Sequence, residues 1–387
     1  MTPERRIAVV HERFTEFGGS ETVAAQLASI AAEIGSTRLL APIADVPELD
    51  VATAGGTALR LPIEQRGVRH LRRTGGGYAH LLPLLPSAFA AYDLHGTDLV
   101  LASHHAFANR VRFPDGTHSI SYVHTPARWL WDPAKRRDEA GTATAKALGA
   151  FAVLQRNADR AAAERFDLLL ANSTAVAERI RRWWGLPSRV VYPPVNTDFY
   201  RPDPTARRED FVLYAGRVVP YKRADLVAAA AKAGGLPLVV AGEGRALERC
   251  RELAGPRTRF LGRVDDATLR DLYRRCRMLV LAGEEDFGIV PVEAAACGAP
   301  IVGLNAGGTR DTVIDGVTGR LVNTDPNDPC AVHAFAAAMR EMWDDAPSQR
   351  AARAHAERFS ITAFRAKIHD AIADVMGVPA AASSGVG

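Results

Sequence analysis

The sequence predicts an α/β protein made of two doubly wound domains that leave a cleft between the carboxyl edges of their sheets. Three observations carry this. Short apolar runs suited to buried parallel strands alternate with alanine-rich helical segments, and the scheme occurs twice. The 387 residues, 47% of them hydrophobic, suit two cores of ordinary size rather than one. The alternation is broken at Tyr192-Pro-Pro-Val-Asn-Thr-Asp-Phe-Tyr-Arg-Pro202, where three prolines stop regular structure.

The first domain is expected over 1–195. Its strands read as Arg6–His11, Thr37–Leu40, Leu59–Pro62, Asp98–Ser103, Ser119–His124, Asp167–Asn172 and Arg189–Tyr192, with helices such as Ser20–Ile34 and Asn157–Arg165 between them. After the first strand comes His11-Glu-Arg-Phe-Thr-Glu-Phe-Gly18-Gly19-Ser20-Glu21. Two glycines ahead of a helix start make an anion-binding turn, and Ser20 as a plain N-cap is the simpler alternative.

The second domain is expected over 196–360, with strands at Phe211–Ala215, Leu238–Ala241, Thr258–Leu261, Met278–Leu281, Ile301–Gly303 and Arg320–Asn323. Its first strand runs into Gly216-Arg-Val-Val-Pro-Tyr-Lys-Arg223. Gly216 allows close approach of a ligand, Arg217 offers a fork and Lys222 a mobile charge. A solvated basic loop is the alternative, and it is the favoured one for Arg223. The strand Met278–Leu281 leads into Glu285-Asp-Phe-Gly-Ile-Val-Pro-Val-Glu293, then a short helix closed by Gly298. Acidic groups just past a strand's carboxyl end can accept hydrogen bonds from sugar or ribose hydroxyls. A charged loop that caps a helix is the plainer explanation.

Other classes are disfavoured. No apolar run approaches the ~20 residues that cross a bilayer. The N-terminus runs straight into the first strand without a secretory core. The four cysteines, Cys250, Cys276, Cys297 and Cys330, lack metal-ligand or disulfide spacing, which suits reduced thiols in a cytoplasmic protein. There is no Gly-x-Gly-x-x-Gly after the first strand and no P-loop; Gly242-Glu-Gly244 is only a fragment of the former. There is also no Asp-x-Asp pair, so a diphosphate must be held by cations and helix ends without a metal. A net charge of +4 permits an acidic ligand or an anionic surface and specifies neither.

Taken in order, Gly18-Gly19-x-Glu21, Gly216-Arg-x-x-x-x-Lys222, Phe260-Leu-Gly-Arg-Val264 and the paired glutamates around Asp286-Phe-Gly288 resemble the retaining, metal-independent glycosyltransferases of family 4. The resemblance covers nearly the whole chain and implies the GT-B architecture, two Rossmann-like domains facing a central cleft. Within the family, Ser103-His-His-Ala-Phe-Ala108, Ser121-Tyr-Val-His-Thr-Pro-Ala-Arg-Trp-Leu-Trp-Asp132 and Arg217–Arg223 look most like bacterial mannosyltransferases of polysaccharide and O-antigen assembly. Gly-Gly-Ser-Glu replaces the commoner Gly-Gly-Ala-Glu, a change that backbone binding tolerates.

The resemblance also implies roles. Gly18 and Gly19 bring backbone N–H to the donor's distal phosphate. Arg217 and Lys222, after Gly216, hold the diphosphate and stabilise it as it leaves. Glu285 bonds a hydroxyl of the donor sugar and acts as a positioning group, while Asp286, Phe287, Gly288 and Ile289 orient sugar and phosphate. Glu293 takes the ribose hydroxyls, and Arg263 and Val264 meet the base. His124 reaches the donor sugar near the reacting carbon, although a histidine at a strand end is more often structural.

The implied reaction is retaining hexosyl transfer, with mannose from GDP-mannose first, to a glycan or lipid-linked acceptor. A UDP-sugar donor, a phosphorylase on the same scaffold and a non-catalytic binding partner remain alternatives. No cofactor, metal or nucleic acid is expected. The segment 361–376 is expected to pack back on the first domain, with hinges near Pro193-Pro194 and Phe359-Ser360, and 379–387 to be disordered. Arg66-Gly-Val-Arg-His-Leu-Arg-Arg73 and Tyr78-Ala-His-Leu-Leu-Pro-Leu-Leu-Pro86 could rest on an anionic membrane, against the alternative of ordinary surface and buried helices. Trp129, Trp131, Trp183 and Trp184 could stack on sugar rings or simply be buried.

Overall fold

A computed structural model of the chain describes residues 4–66, 68, 81–133 and 142–377. It divides into two compact units, one of Met1–Pro194 with Phe364–Gly387, the other Val195–Ala363. The expected disordered tail at 379–387 and most of the basic stretch 66–80 lie outside the described residues.

The first unit holds eight strands: β1 (Arg6–His11), β2 (Ser36–Leu40), β3 (Glu48–Ala52), β4 (Ala58–Glu64), β5 (Leu99–His104), β6 (His118–Val123), β7 (Leu168–Ala171) and β8 (Arg189–Val190). They are ordered β3-β4-β2-β1-β5-β6-β7-β8. All neighbours are parallel except β3 and β4, which pair antiparallel with Val51 opposite Leu59. This hairpin departs from the uniformly parallel sheet expected. Leu49 and Val51 alternate with exposed Glu48, Asp50 and Ala52, a period of two too short to stand out from a loop.

The centre of the sheet is apolar on both faces, as helices on both sides require. Along β1, Ile7 and Val9 enter one core with Val23, Leu27 and Ile30 of the helix Gly19–Ile34. Ala8 and Val10 enter the opposite core with Phe89, Phe107 and Trp184. Phe364, Ile368 and Ile372, from the helix Ile361–Met376, join the first of these cores. Arg365 is tied there by Ser29 at 3.0 Å and Glu33 at 2.6 Å.

The second unit holds β9 (Val212–Ala215), β10 (Leu238–Ala241), β11 (Thr258–Gly262), β12 (Met278–Leu281), β13 (Ile301–Leu304) and β14 (Gly319–Val322). Every pair is parallel, in the order β11-β10-β9-β12-β13-β14. That is the Rossmann order, with the strand sequence reversing between β9 and β12, and such a switch point is where open α/β sheets bind ligands. In the first unit the reversal falls between β1 and β5.

The four cysteines are free thiols, with Cys250, Cys276 and Cys297 buried and Cys330 exposed. No helix among the described residues is long and apolar enough to cross a membrane. Of the leucines thought available to a membrane, Leu81 and Leu85 are buried and Leu84 is exposed. The tryptophans are held by the core. Trp131 and Trp184 each donate from Nε1 to Asp159 Oδ2 at 2.8 Å, and Trp129 stacks on Phe151. Burial pushes the Asp159 carboxyl up to about 6.

Candidate functional site

At the switch point of the second unit, the loop after β9 meets the loop after β12. Gly283 makes the meeting possible. A Cβ there would lie 2.4 Å from the Tyr221 carbonyl oxygen and 2.6 Å from Lys222 Cα, so any larger residue forces the loops apart. Lys222 ends the short turn Pro220–Lys222, and its Nζ stands 2.8 Å from Glu285 Oε1, with the two side chains 18% and 21% exposed. Arg217 is exposed beside them; its Nη2 donates to the Tyr221 hydroxyl at 3.0 Å, and the Tyr214 hydroxyl donates to the Arg217 carbonyl at 3.0 Å.

Arg223 differs from the solvated residue expected. It adopts a left-handed backbone, φ 54°, and its guanidinium binds Asp225 Oδ1 at 3.1 Å, Asn327 Oδ1 at 3.0 Å and the Pro326 carbonyl. Such a conformation in a non-glycine residue persists only where neighbours hold it, so Arg223 braces the turn that presents Lys222.

A third loop, after β13, supports the acidic one. The Gly308 N–H donates to the Glu285 carbonyl at 2.9 Å, and a Cβ on Gly308 would lie 2.2 Å from Phe287 Cα. Asp286 is half-buried, Phe287 buried, and Gly288 caps the helix Ile289–Ala296. Gly216, Arg217, Lys222, Glu285 and Asp286 to Ile289 therefore lie on loops that meet at the switch point. Arg263 and Val264 follow β11, two strands away from β9 in the sheet.

Glu293 lies in the first turns of that helix, half-buried. Its Oε2 accepts from the Tyr273 hydroxyl at 3.0 Å. Burial raises its carboxyl to about 7, against the pull of the Tyr273 and Tyr200 hydroxyls.

In the first unit, the helix Gly19–Ile34 starts at Gly19 and Gly18 is its N-cap, not Ser20. Glu21 reaches back, its Oε2 accepting from the Gly18 N–H at 3.1 Å and the Ser20 hydroxyl at 2.9 Å. Burial alone would raise the Glu21 carboxyl, but His11, the local backbone and Ser20 hold it down at about 2. Glu12 staples the loop after β5. Its Oε1 accepts from the backbone N–H groups of Ala106, Phe107 and Ala108 at 2.9, 2.7 and 2.7 Å. The Arg13 guanidinium donates to His105 Nε2 at 2.8 Å; burial, then the charge of Arg13, push that imidazole down to about 3.

His124 stands immediately after β6, half-buried, its N–H donating to the His104 carbonyl at 2.8 Å. Its Nε2 lies 2.8 Å from Ser103 Oγ.

Two family descriptions meet end to end on this chain. "Glycosyltransferase Family 4" matches residues 17–199 and "Glycosyl transferases group 1" matches 196–359. The chain belongs to the family 4 glycosyltransferases. Among curated members, D-inositol 3-phosphate glycosyltransferase of Mycobacterium avium (strain 104) is 36% identical over 193 residues, 44% of this chain and 45% of that protein. The protein of that name from Mycobacterium bovis (strain BCG / Pasteur 1173P2) is 36% identical over 181 residues, 41% and 38%. The matched stretch thus spans less than half the length of these relatives. Among solved structures, sucrose-phosphate synthase from Thermosynechococcus elongatus has a TM-score of 0.72 at 21% identity, over 96% of this chain and 99% of that one. Anabaena HepE in complex with UDP and glucose gives 0.67 at 19%, over 96% and 100%. The fold of this glycosyltransferase is accordingly GT-B, with two Rossmann-like α/β domains.

Several site residues had no sequence signal strong enough to single them out. Tyr273 lies in a helix, Asp266–Arg275, whose apolar positions read as ordinary packing. Gly307-Gly308 after Ile301–Leu304 was a visible clue, since paired glycines past a strand mark close backbone approach. Glu12 and His11 sat inside a quoted motif, but their partners on β5 are more than 90 residues away.

Proposed function

We propose that this protein transfers a hexose from a nucleotide sugar to a glycan or lipid-linked acceptor, with retention of configuration and without a metal. The observation that carries the reading is the Lys222–Glu285 pair at the switch point of the second unit, backed by Arg217. A nucleotide sugar has a diphosphate that must leave as an anion and a sugar whose hydroxyls must be oriented. The pair supplies one group for each task, 2.8 Å apart. Lys222 and Arg217 neutralise the diphosphate as the glycosidic bond breaks, where fixed charge acts on the barrier itself. Glu285, paired with an ammonium, suits hydrogen bonding to a sugar hydroxyl better than nucleophilic attack. The departing phosphate then takes the acceptor's proton on the same face. Asp286 to Ile289 orient sugar and phosphate, Glu293 binds ribose, Arg263 and Val264 meet the base, and Gly18, Gly19 and His124 act on the donor from the first unit.

Mannose from GDP-mannose is the donor favoured by the mannosyltransferase-like stretches 103–108 and 121–132. The UDP and glucose bound by HepE, and the UDP and GlcNAc bound by a pneumococcal O-GlcNAc transferase of similar fold, make a UDP-sugar the second reading. The name of the curated relatives adds a phosphorylated polyol to the acceptors worth testing. A thermal-shift panel of UDP, GDP, UDP-glucose, UDP-GlcNAc and GDP-mannose, run in EDTA, separates the donors. A ligand at a hundred times its Kd adds about 2.7 kcal/mol, an easily read shift. Stabilisation by none of them would defeat the reading.

A further inference from the structure

A buried chain of side chains joins the glycine turn of the first unit to His124. Glu21 Oε1 faces His11 Nε2 at 3.7 Å, His11 Nδ1 lies 3.0 Å from Ser103 Oγ, and Ser103 Oγ lies 2.8 Å from His124 Nε2. His11 and Ser103 are 0% exposed and Glu21 4%, while His124 reaches a half-buried position at the end of β6. Phe14 and His105 flank the His11 ring, and Tyr122 and His105 flank that of His124.

Proton bookkeeping along this chain has one self-consistent solution for neutral imidazoles. An ionised carboxylate only accepts, so the His11 nitrogen that faces Glu21, Nε2, carries the hydrogen. His11 Nδ1 is then an acceptor and takes the Ser103 hydroxyl hydrogen. The Ser103 oxygen in turn accepts from His124 Nε2–H. The reverse order would set a His11 lone pair against the Glu21 carboxylate at 3.7 Å, in a place closed to water. Two facing acceptors without a proton are costly there.

We propose that Ser103 is a positioning residue which, through His11 and Glu21, fixes His124 as the Nε2–H tautomer and leaves its Nδ1 lone pair to accept from a hydroxyl of the donor sugar. Which imidazole nitrogen is free for work is commonly set by the partner of the other one. The same Glu21 carboxylate holds the Gly18 N–H, so the phosphate-binding turn and the histidine share one support. The sugar-facing role of His124 rests on the function proposed above; its tautomer does not.

The experiment therefore reads both. In protein labelled with ¹⁵N-histidine at pH 8, His124 is assigned from the His124→Gln spectrum and its tautomer read from long-range imidazole correlations. The expected result is a single Nε2–H tautomer in the native protein, a mixture in Ser103→Ala, and recovery in Ser103→Thr. With a competent donor, kcat of Ser103→Ala should fall about fivefold to tenfold, the scale of one neutral hydrogen bond, with donor KM within about twofold. His124 protonated at Nδ1 in the native protein overturns the proposal, and so does an unchanged tautomer in folded Ser103→Ala. The native spectrum decides even if the variants do not fold. Expected spectra without sugar transfer would uphold the relay and count against the function instead.

Discussion

Replacing Glu293 with glutamine should stabilise the protein while weakening its hold on a nucleotide. Glu293 titrates near 7 in the folded chain against a usual value of 4.5, because burial disfavours its charge. The folded state therefore keeps a proton that the unfolded state has released. Stability falls as pH rises from about 4.5 to 7 and levels off above that. At ~1.4 kcal/mol per factor of ten, ionising the buried group costs the folded protein about 3 kcal/mol at pH 8. A glutamine carbonyl still accepts from the Tyr273 hydroxyl but has no charge to bury. The difference in Tm between Glu293→Gln and the native protein should be small at pH 5. It should grow to roughly 5–10 °C at pH 8, given a unit of Val195–Ala363. Differential scanning fluorimetry across that range, variant minus native, cancels every other titrating group. A difference that is flat with pH, or a variant less stable at pH 8, would refute the reasoning about burial. A ribose-binding carboxylate that costs stability is the usual signature of a functional group.

The remaining expectations concern the cations and loops. Lys222→Ala should lower turnover a hundredfold or more, the ~3 kcal/mol of one charge-stabilising donor, with little change in Tm since Lys222 is only partly buried; steady-state kinetics checks it. Activity should survive EDTA, and loss restored by Mn²⁺ or Mg²⁺ would show that the leaving group is stabilised by other means. Gly283→Ala should cut donor affinity without touching any proposed ligand group, because its methyl displaces Lys222; titration calorimetry with a nucleoside diphosphate measures it.

Much of the fold was legible because parallel strands buried on both faces leave continuous apolar runs. Leu238–Ala241 and Met278–Leu281 stand in the structure where the sequence put them. The hairpin β3–β4 was not, since Glu48–Ala52 has only two apolar residues and lies at the sheet edge, where one face is wet. The loops that make the site were visible as glycines and charges placed after strands. What the sequence could not show were partners distant along the chain. The Lys222–Glu285 pair joins two loops 63 residues apart, and the Ser103–His124 contact joins two strand ends. Arg223 was misread for a related reason. Its solvated look comes from neighbours in sequence, whereas its role comes from Asp225 and the distant Pro326 and Asn327.

The central claim is that the switch point between β9 and β12 binds the diphosphate of a nucleotide sugar. Calorimetric titration of UDP and of GDP into the native protein and into Lys222→Ala, both in EDTA, tests it most directly. One of the two nucleotides should bind the native protein, and the same nucleotide should bind Lys222→Ala at least tenfold more weakly. Equal affinity in the two proteins, or no binding of either nucleotide, would contradict it.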